Sequence, residues 1–143
     1  MNAGDICNRS PVLVTARTTL AEAAALMREH QVGSLVVVDD AGSALPQGVV
    51  SDRHLALALA DGGDPRYTPV ERVMARDLRT VPEDESVSAI LKLMRARGMR
   101  AVPVVDGTGR LAGVVTADGF LDLLSEQLAD MMFALEKGLS GPQ

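Results

Sequence analysis

The stretch Gly48-Val49-Val50-Ser51 is repeated further along the chain as Gly113-Val114-Val115-Thr116, and this repetition decides the fold. Each copy is typical of a short β-branched strand that runs into a helix opened by a hydroxyl residue. Three earlier segments match in order: Val14 with Val81, Leu26-Met27-Arg28 with Leu93-Met94-Arg95, and Val37-Val38-Asp39 with Val104-Val105-Asp106. Their offset is 67 residues, against 65 for the first pair, which predicts that one hairpin loop is two residues longer.

The first copy carries the signals of a helix, a hairpin and a second helix. A capping box and apolar residues at helical spacing predict a helix over about residues 19–30. Two apolar runs predict strands at residues 34–38 and 48–50, joined by a turn at Asp39-Asp40-Ala41-Gly42. The last helix is predicted over about residues 51–60, before a stretch rich in glycine and aspartate.

The second copy repeats these signals and ends in a longer helix. Ser86 is the predicted N-cap of its first helix, and strands follow at residues 101–105 and 111–115. The final helix is predicted from about Ala117 to Lys137 and ended by Gly138. It carries an apolar stripe of Phe120, Leu124, Leu128, Met131, Met132 and Leu135. The stripe either packs on its own repeat or, as we favour, packs partly on a second subunit of a homodimer.

These patterns predict an α/β chain of the α+β type, built from two tandem β-α-β-β-α units. The predicted organisation is a first repeat at residues 1–61, a linker at 62–71, a second repeat at 72–127, and a helical extension and tail at 128–143. With 143 residues, 47% of them hydrophobic, the chain is long enough to bury a proper core. Because only 2% are aromatic, any ligand base is expected to contact aliphatic walls.

The charge and the single cysteine limit the classes of function. A net charge of −5 disfavours nucleic-acid binding, which relies on clustered lysine and arginine. Cys7 has no partner for an internal disulfide, and the N-terminus lacks the pattern of a signal peptide. The longest apolar stretch, residues 55–60, is far shorter than the roughly 20 residues of a membrane span. We therefore expect a soluble, cytoplasmic protein that does not bind a membrane.

Residue sets that support catalysis are not found in the sequence. Two histidines and one cysteine do not form a zinc motif, so no metal site is predicted. Gly107-Thr108-Gly109 suits a hairpin turn and is not followed by the helix that a phosphate-binding loop needs. A nucleophile built on Cys7 would lie near a chain end. We expect no catalytic residues and no enzymatic activity.

The ordered set of repeated segments, over about residues 11–127, resembles a pair of CBS (cystathionine-β-synthase) domains, also known as a Bateman module. It looks like a small stand-alone bacterial CBS-pair protein. The resemblance implies that the two units pack sheet to sheet with pseudo-two-fold symmetry. It also implies two clefts between the repeats that bind adenosine-type ligands, namely AMP, ADP, ATP, S-adenosylmethionine or NAD.

Two hydroxyl residues, Ser51 and Thr116, mark the candidate ligand sites. Each lies where a strand enters a helix, so that its hydroxyl and the free N–H groups suit a phosphate, although both residues can equally be simple N-caps. In the family, an aspartate three residues later accepts both ribose hydroxyls. Here His54 and Gly119 occupy those positions, and Asp118 lies one residue early, about 100° around the helix. A ribose contact of the usual kind is therefore not expected.

Several cations near these positions are further candidates for binding a phosphate. His54, Arg53 and Arg100 either meet the phosphate or are solvated surface residues. Arg95 and Arg97, on a helix with an apolar opposite face, are assigned no role in the site. By resemblance, the rest of the lining is Thr15, Ala16, Ser34 and Val36 in the first repeat and Thr80, Ala101 and Pro103 in the second. The alternative for these residues is core packing.

Two functions remain open at this point. The first is a regulatory module that binds an adenosine-type nucleotide and signals by a change of conformation or of the dimer. The second is a dimerisation or protein-interaction module that has lost nucleotide binding. In neither case is a cofactor required, although a bound adenine nucleotide or S-adenosylmethionine fits the first. The partner protein that it would regulate is not indicated by the sequence.

Overall fold

The computed structural model describes residues 1–39 and 42–140 and confirms two consecutive units of the predicted type. The first contains β1 (Leu13–Thr15), α2 (Leu20–His30), β2 (Ser34–Val38), β3 (Pro46–Ser51) and α3 (Asp52–Ala60), preceded by α1 (Ala3–Ile6). After a 3-10 turn at Val70–Arg72, the second contains β4 (Val81–Pro82), α4 (Val87–Arg97), β5 (Ala101–Val105), β6 (Leu111–Thr116) and α5 (Ala117–Ser140). Each helix of more than one turn begins close to its predicted start.

Each unit forms a three-stranded sheet of the same topology. The order is β1-β2-β3 in one sheet and β4-β5-β6 in the other, with the first pair parallel and the second pair antiparallel. Both hairpins carry a register shift at the same place, between Val37 and Val38 and between Val104 and Val105. The first hairpin loop is longer by two residues, as the change of offset predicts. Asp40 and Ala41 of the predicted turn lie outside the described residues.

Three apolar clusters hold the units together. One lies under the first sheet around Leu20, Leu35 and Val50, and a second lies under the second sheet around Ile90 and Val102. The third cluster joins the two sheets and consists of Val36, Val38, Ala101 and Val114. Burying a valine or leucine side chain completely contributes about 1.5–3 kcal/mol, so these clusters dominate stability. The sheet-to-sheet packing implied by the resemblance is therefore confirmed.

The segment that precedes each repeat packs on the other repeat. Asn8 extends the second sheet by an antiparallel bridge to Val114, and its N–H donates to the Val114 carbonyl at 2.9 Å. Ala75 forms the equivalent bridge to Val49 in the first sheet, also with an N–O distance of 2.9 Å. We call residues 2–8 and 69–75 the exchanged arms. Each packing unit therefore includes residues from both halves of the chain.

The glycines of the repeated stretch make room for these arms. A Cβ atom on Gly48 would lie 2.7 Å from the carbonyl oxygen of Ala75, and one on Gly113 would lie 2.7 Å from that of Asn8. Real Cβ atoms do not approach backbone oxygens so closely. Close approach of another backbone is a known reason for glycine within a strand. Glycine in the stretch that decides the fold is thus required by the exchanged arms.

The final helix differs from its predicted form in one respect. The prediction that Gly138 ends it is wrong, because α5 continues to Ser140. Gly138 has no left-handed φ, and glycine inside a helix costs only about 1 kcal/mol relative to alanine, which an established long helix tolerates. Phe120 is buried at 8% exposure, whereas the rest of the stripe is exposed, with Leu128 at 59%. Within the described residues, no helix has the length and apolar character required to cross a bilayer.

Candidate ligand clefts

The larger cleft has a volume of about 540 Å³ and lies between the two repeats. The start of α3 forms one side, and the turn from α4 to β5 forms the other. Gly98 ends α4 with a φ of 65°, a left-handed conformation that suits glycine and directs the following residues toward the cleft. The predicted site residues found here are Ser34, Ser51, Arg53, His54, Arg100 and Ala101. We refer to it as the first cleft.

Ser51 and His54 are joined by a reciprocal set of hydrogen bonds at the start of α3. The Ser51 hydroxyl accepts from the His54 N–H at 3.3 Å, and the Ser51 N–H donates to Nδ1 of His54 at 2.9 Å. The Ser51 hydroxyl also lies 3.0 Å from Nδ1. Ser51 is therefore an N-cap, and the histidine takes the part of the glutamate in a capping box.

These bonds determine where the imidazole ring carries its proton. Because Nδ1 of His54 accepts from a backbone N–H, the proton of the neutral ring is on Nε2. Burial lowers the pKa of His54 below its ordinary value, and the neighbouring Arg53 lowers it further. At neutral pH the ring is uncharged, and its remaining polar atom is a hydrogen-bond donor.

The charged groups of the first cleft are mainly guanidinium groups. Arg53, Arg97 and Arg100 line it, together with the carboxylates of Asp52 and Asp77. Arg97 forms an ion pair with Asp77. Sequence reasoning assigned Arg97 no role and did not consider Asp77, because neither position carries a local signal of a site. Among the described residues, the formal charge of this lining is +1 with His54 neutral, although the whole chain is acidic.

The smaller cleft, with a volume of about 200 Å³, lies at the start of α5. We call it the second cleft. The Thr116 hydroxyl accepts from the Gly119 N–H at 3.0 Å, so Thr116 is an N-cap like Ser51. The carboxylates of Asp118 and Asp122 line it with one guanidinium group, that of Arg100. The two clefts are related by the repeat, but their charges are opposite.

Arg100 and Ser34 line both clefts. Nη2 of Arg100 lies 3.5 Å from Oδ1 of Asp118, and the two side chains are 64% and 72% exposed. An ion pair as exposed as this contributes little free energy and restrains the arginine weakly. The guanidinium group of Arg100 is therefore available to either cleft.

The other predicted lining residues are not among those that line the two clefts. Val36 and Pro103 are buried in their strands, and Ala16 packs against the core of the first repeat. The Thr15 N–H donates to the Thr18 hydroxyl at 3.2 Å in β1. Thr80 is exposed just before β4. Core packing and solvent exposure thus account for the positions of these residues.

The described residues contain no group of three or more histidine, cysteine or acidic side chains that could hold a metal ion. Cys7 is half-buried in the first exchanged arm, beside Gly113. Burial raises the pKa of its thiol, an effect that outweighs the opposing charge of Arg9. This thiol is therefore a poor nucleophile at neutral pH.

The two repeats and the clefts between them define a known class of protein. The family model of the CBS domain matches residues 3–61 and again residues 70–126. The chain therefore belongs to the CBS domain family and carries two copies of the domain. The resemblance noted in the repeated segments is confirmed.

Individual relatives share this fold over most of the chain. The CBS domain pair of protein MJ0100, crystallised with 5′-methylthioadenosine and S-adenosyl-L-methionine, is 28% identical with a TM-score of 0.76, covering 87% of this chain and 99% of that one. Hypoxic Response Protein I, crystallised with two coordinated zinc ions, is 30% identical with a TM-score of 0.76, covering 85% and 98%. Protein MK0525 of Methanopyrus kandleri is uncharacterized and 32% identical over 86% of this chain. The chain spans about three fifths of the length of the first curated relatives it matches.

Proposed function

We propose that this CBS pair is a regulatory module that binds an adenosine-type nucleotide in the first cleft. The observation that carries the proposal is the joining of three guanidinium groups with the capped start of α3 in one cleft. Its volume of about 540 Å³ lies within the usual range for small-molecule sites. The adenosine ligands of the MJ0100 domain pair support the choice of ligand class.

The phosphate would lie at the start of α3. The N-terminal end of a helix carries partial positive charge, and its N–H groups suit anions. The Arg53 and Arg97 guanidinium groups line the same cleft and match phosphate oxygens in pairs. In the second cleft, two carboxylates would repel the same group. We therefore place the nucleotide phosphate in the first cleft.

The base would contact the apolar part of the first cleft. Val49, Leu78, Met99 and Ala101 line it, and none of these is aromatic. The unbranched methionine side chain adapts to irregular shapes and makes favourable contacts with aromatic rings. This wall agrees with the expectation from composition that a base is held by aliphatic side chains.

Thermal unfolding of the protein with AMP, ADP, ATP, S-adenosylmethionine and NAD tests the proposal. A ligand at 100 times its dissociation constant should stabilise the fold by about 2.7 kcal/mol. Arg97→Gln should weaken binding about tenfold or more, the effect of losing a bond to a charged group. Arg95→Gln, an exposed position on the same helix that does not line the cleft, is the matched control and should bind as the native chain does. If none of the five ligands shifts the melting temperature, the proposal fails.

A second candidate function is a dimerisation or docking module that works without a nucleotide. The observation that favours it is the apolar face of α5, where Leu121, Leu124, Leu128, Met131 and Leu135 are exposed. Their alternating spacing of three and four residues is that of a coiled-coil seam. This candidate requires a dimer in the absence of ligand, which native mass spectrometry measures together with any retained small molecule. A monomer at micromolar concentration would contradict it.

The two candidates are compatible in one regulatory scheme. A nucleotide that holds the two repeats together would change the geometry of α5, which begins directly after β6. Such a change could be transmitted to a second subunit or to a regulated partner protein. We propose that the chain acts by binding and not by catalysis.

A further inference from the structure

One guanidinium group of the first cleft is already paired within the protein. Nη1 of Arg97 donates to Oδ2 of Asp77, and both residues line the cleft. Oδ1 of the same carboxylate lies 3.9 Å from Nε of Arg79. The Asp77 carboxylate therefore occupies a cation that an anionic ligand of this cleft would use.

The two partners of this ion pair belong to different segments of the chain. Arg97 is the last residue of α4. Asp77 lies two residues after Ala75, whose N–H donates to the Val49 carbonyl and holds the second exchanged arm on the first sheet. Residues 76–80, which the structure describes throughout, form neither helix nor strand, and we call them the connecting segment. The pair thus ties the connecting segment to the end of α4.

The pair is exposed enough to be broken by a stronger anion. The side chain of Arg97 is 37% exposed and that of Asp77 is 70% exposed, so water screens their attraction. Breaking the pair costs little, because the carboxylate returns to solvent. A phosphate carries more oxygens and more charge than a carboxylate and matches the guanidinium fork in pairs. A phosphate in the cleft is therefore the stronger partner for Arg97.

We propose that Asp77 is an internal competitor of the ligand. In the ligand-free protein its carboxylate occupies Arg97, and the anionic group of a bound ligand displaces it and takes over the guanidinium group. The inference rests on the proposed function and adds a form of regulation to it. The contact is autoinhibitory, because the ligand must break it. Its displacement also frees the connecting segment from α4, so that binding alters a link between the repeats.

Isothermal titration of the variant Asp77→Asn tests the competition. AMP should bind about two- to fivefold more tightly than to the native chain, the range expected from removing an exposed ion pair. Adenosine, which has no phosphate, should bind equally to both proteins. Asp77→Glu retains a carboxylate and should bind AMP as the native chain does. Asp84→Asn removes a charge at an exposed position outside both clefts and should also keep the native affinity.

A double-mutant cycle with Arg97→Gln separates competition from a general effect of charge. If Asp77 acts by occupying Arg97, Asp77→Asn should raise the AMP affinity less in the Arg97→Gln background than in the native one. Equal gains in the two backgrounds would mean that only the loss of a negative charge matters, and the inference would be wrong. A thermal melt of each variant reports whether it folds, and Asp77→Ser removes the same carboxylate if Asp77→Asn does not fold.

Inorganic pyrophosphate is the second probe, and it separates the inference from the proposed function. If AMP binds but Asp77→Asn brings no gain in its affinity, the inference is wrong and the proposed function stands. If no adenosine-type ligand binds but pyrophosphate binds Asp77→Asn about two- to fivefold more tightly than the native chain, the competition is real and the proposed function is wrong. If neither AMP nor pyrophosphate binds to either protein, the inference is wrong.

Discussion

At the scale of single residues, the side chain of His54 has two tasks that depend on one protonation state. Its Nδ1 accepts the Ser51 N–H and so completes the cap of α3, while the residue also lines the first cleft. Protonation of Nδ1 would remove its lone pair and break the first of these bonds. The stability of the helix start and the chemistry of the cleft are therefore linked through one ring.

The stability of the fold should decrease when the pH falls below the ordinary pKa of histidine. The folded state lowers the pKa of His54 from 6.5, so the unfolded chain binds the proton more readily. The contribution is fully present above about pH 6.5 and is lost as the pH falls through the lowered pKa. We expect the melting temperature of the native chain to drop more between about pH 7.5 and pH 5.5 than that of His54→Gln.

Glutamine at this position retains an acceptor for the Ser51 N–H and does not titrate, which makes His54→Gln a suitable reference. His30→Gln, on the exposed last turn of α2, should show the same pH dependence as the native chain. If the melting temperature fell equally in the native chain and in His54→Gln, His54 would not be the source of the pH dependence.

At the scale of secondary structure elements, the exchanged arms join the two repeats more closely than their order along the chain indicates. Residues 2–8 bridge to β6 and to the start of α4, and residues 69–75 bridge to β3 and to the start of α2. Two of these four bridges, Asn8 to Val114 and Ala75 to Val49, place a backbone against a strand glycine. The repeats are thus interlocked, and neither sheet is complete without a segment from the other side of the chain.

Adding a methyl group at the point of contact should weaken this interlocking. Gly48→Ala places a Cβ atom 2.7 Å from the Ala75 carbonyl oxygen and 2.8 Å from Sδ of Met74. The arm must move, and overpacking of this kind costs about 1–3 kcal/mol. Gly107→Ala is the control, because nothing lies within 4 Å of its added Cβ. Urea unfolding of both variants measures the difference, and equal midpoints would show that the arm does not restrict position 48.

The exposed face of α5 should determine the subunit count. Leu128 lies in the middle of the apolar seam at 59% exposure, and a charge there would be buried in a dimer contact. We expect Leu128→Glu to give a monomer without lowering the melting temperature of the monomeric fold. Gln127→Glu, one residue away, is the control for added charge and should keep the native subunit count. Analytical ultracentrifugation measures the subunit count of each protein, and the same count for the native chain and for Leu128→Glu would contradict the prediction.

At the scale of the whole molecule, the duplication produced two clefts with the same backbone and opposite charge. Ser51 and Thr116 cap equivalent helices, yet the first cleft is lined by three guanidinium groups and the second by one. Arg100 lines both, because it lies in the turn between α4 and β5, and it pairs with Asp118 in the second cleft. A ligand bound in one cleft would therefore compete for a guanidinium group that also lines the other cleft.

Removing the charge of Asp118 should strengthen anion binding in the first cleft. Asp118→Asn frees Arg100, and because an exposed ion pair is worth little, the gain in AMP affinity should be about two- to fivefold. Asp122→Asn is the control, because Asp122 lines the same cleft but forms none of the ion pairs found among the described residues. This substitution should therefore change the AMP affinity less. Titration at low and high salt completes the test, since screening should abolish the gain. If both substitutions raised the AMP affinity equally, the cause would be the loss of one negative charge and not the release of Arg100.

The sequence by itself determined the repeat, the order of strands and helices, and the caps at Thr19, Ser51 and Ser86. These features depend on local periodicity and on hydrogen bonds between residues three positions apart. Both can therefore be recognised within a short segment of the sequence. The resemblance to the CBS family, in turn, implied an aspartate at the positions that His54 and Gly119 occupy. The length of α5 was missed by a few residues, because helix ends are set by weak preferences.

Only the tertiary structure decided which residues share a cleft and how the repeats interlock. Arg97 and Asp77 meet the start of α3 from the other half of the chain, and no local pattern marks them. The need for glycine at position 48 depends on the carbonyl of Ala75, a contact made by the exchanged arm. Such contacts join segments that are distant in sequence, so their geometry follows from packing and not from the propensities of either segment alone.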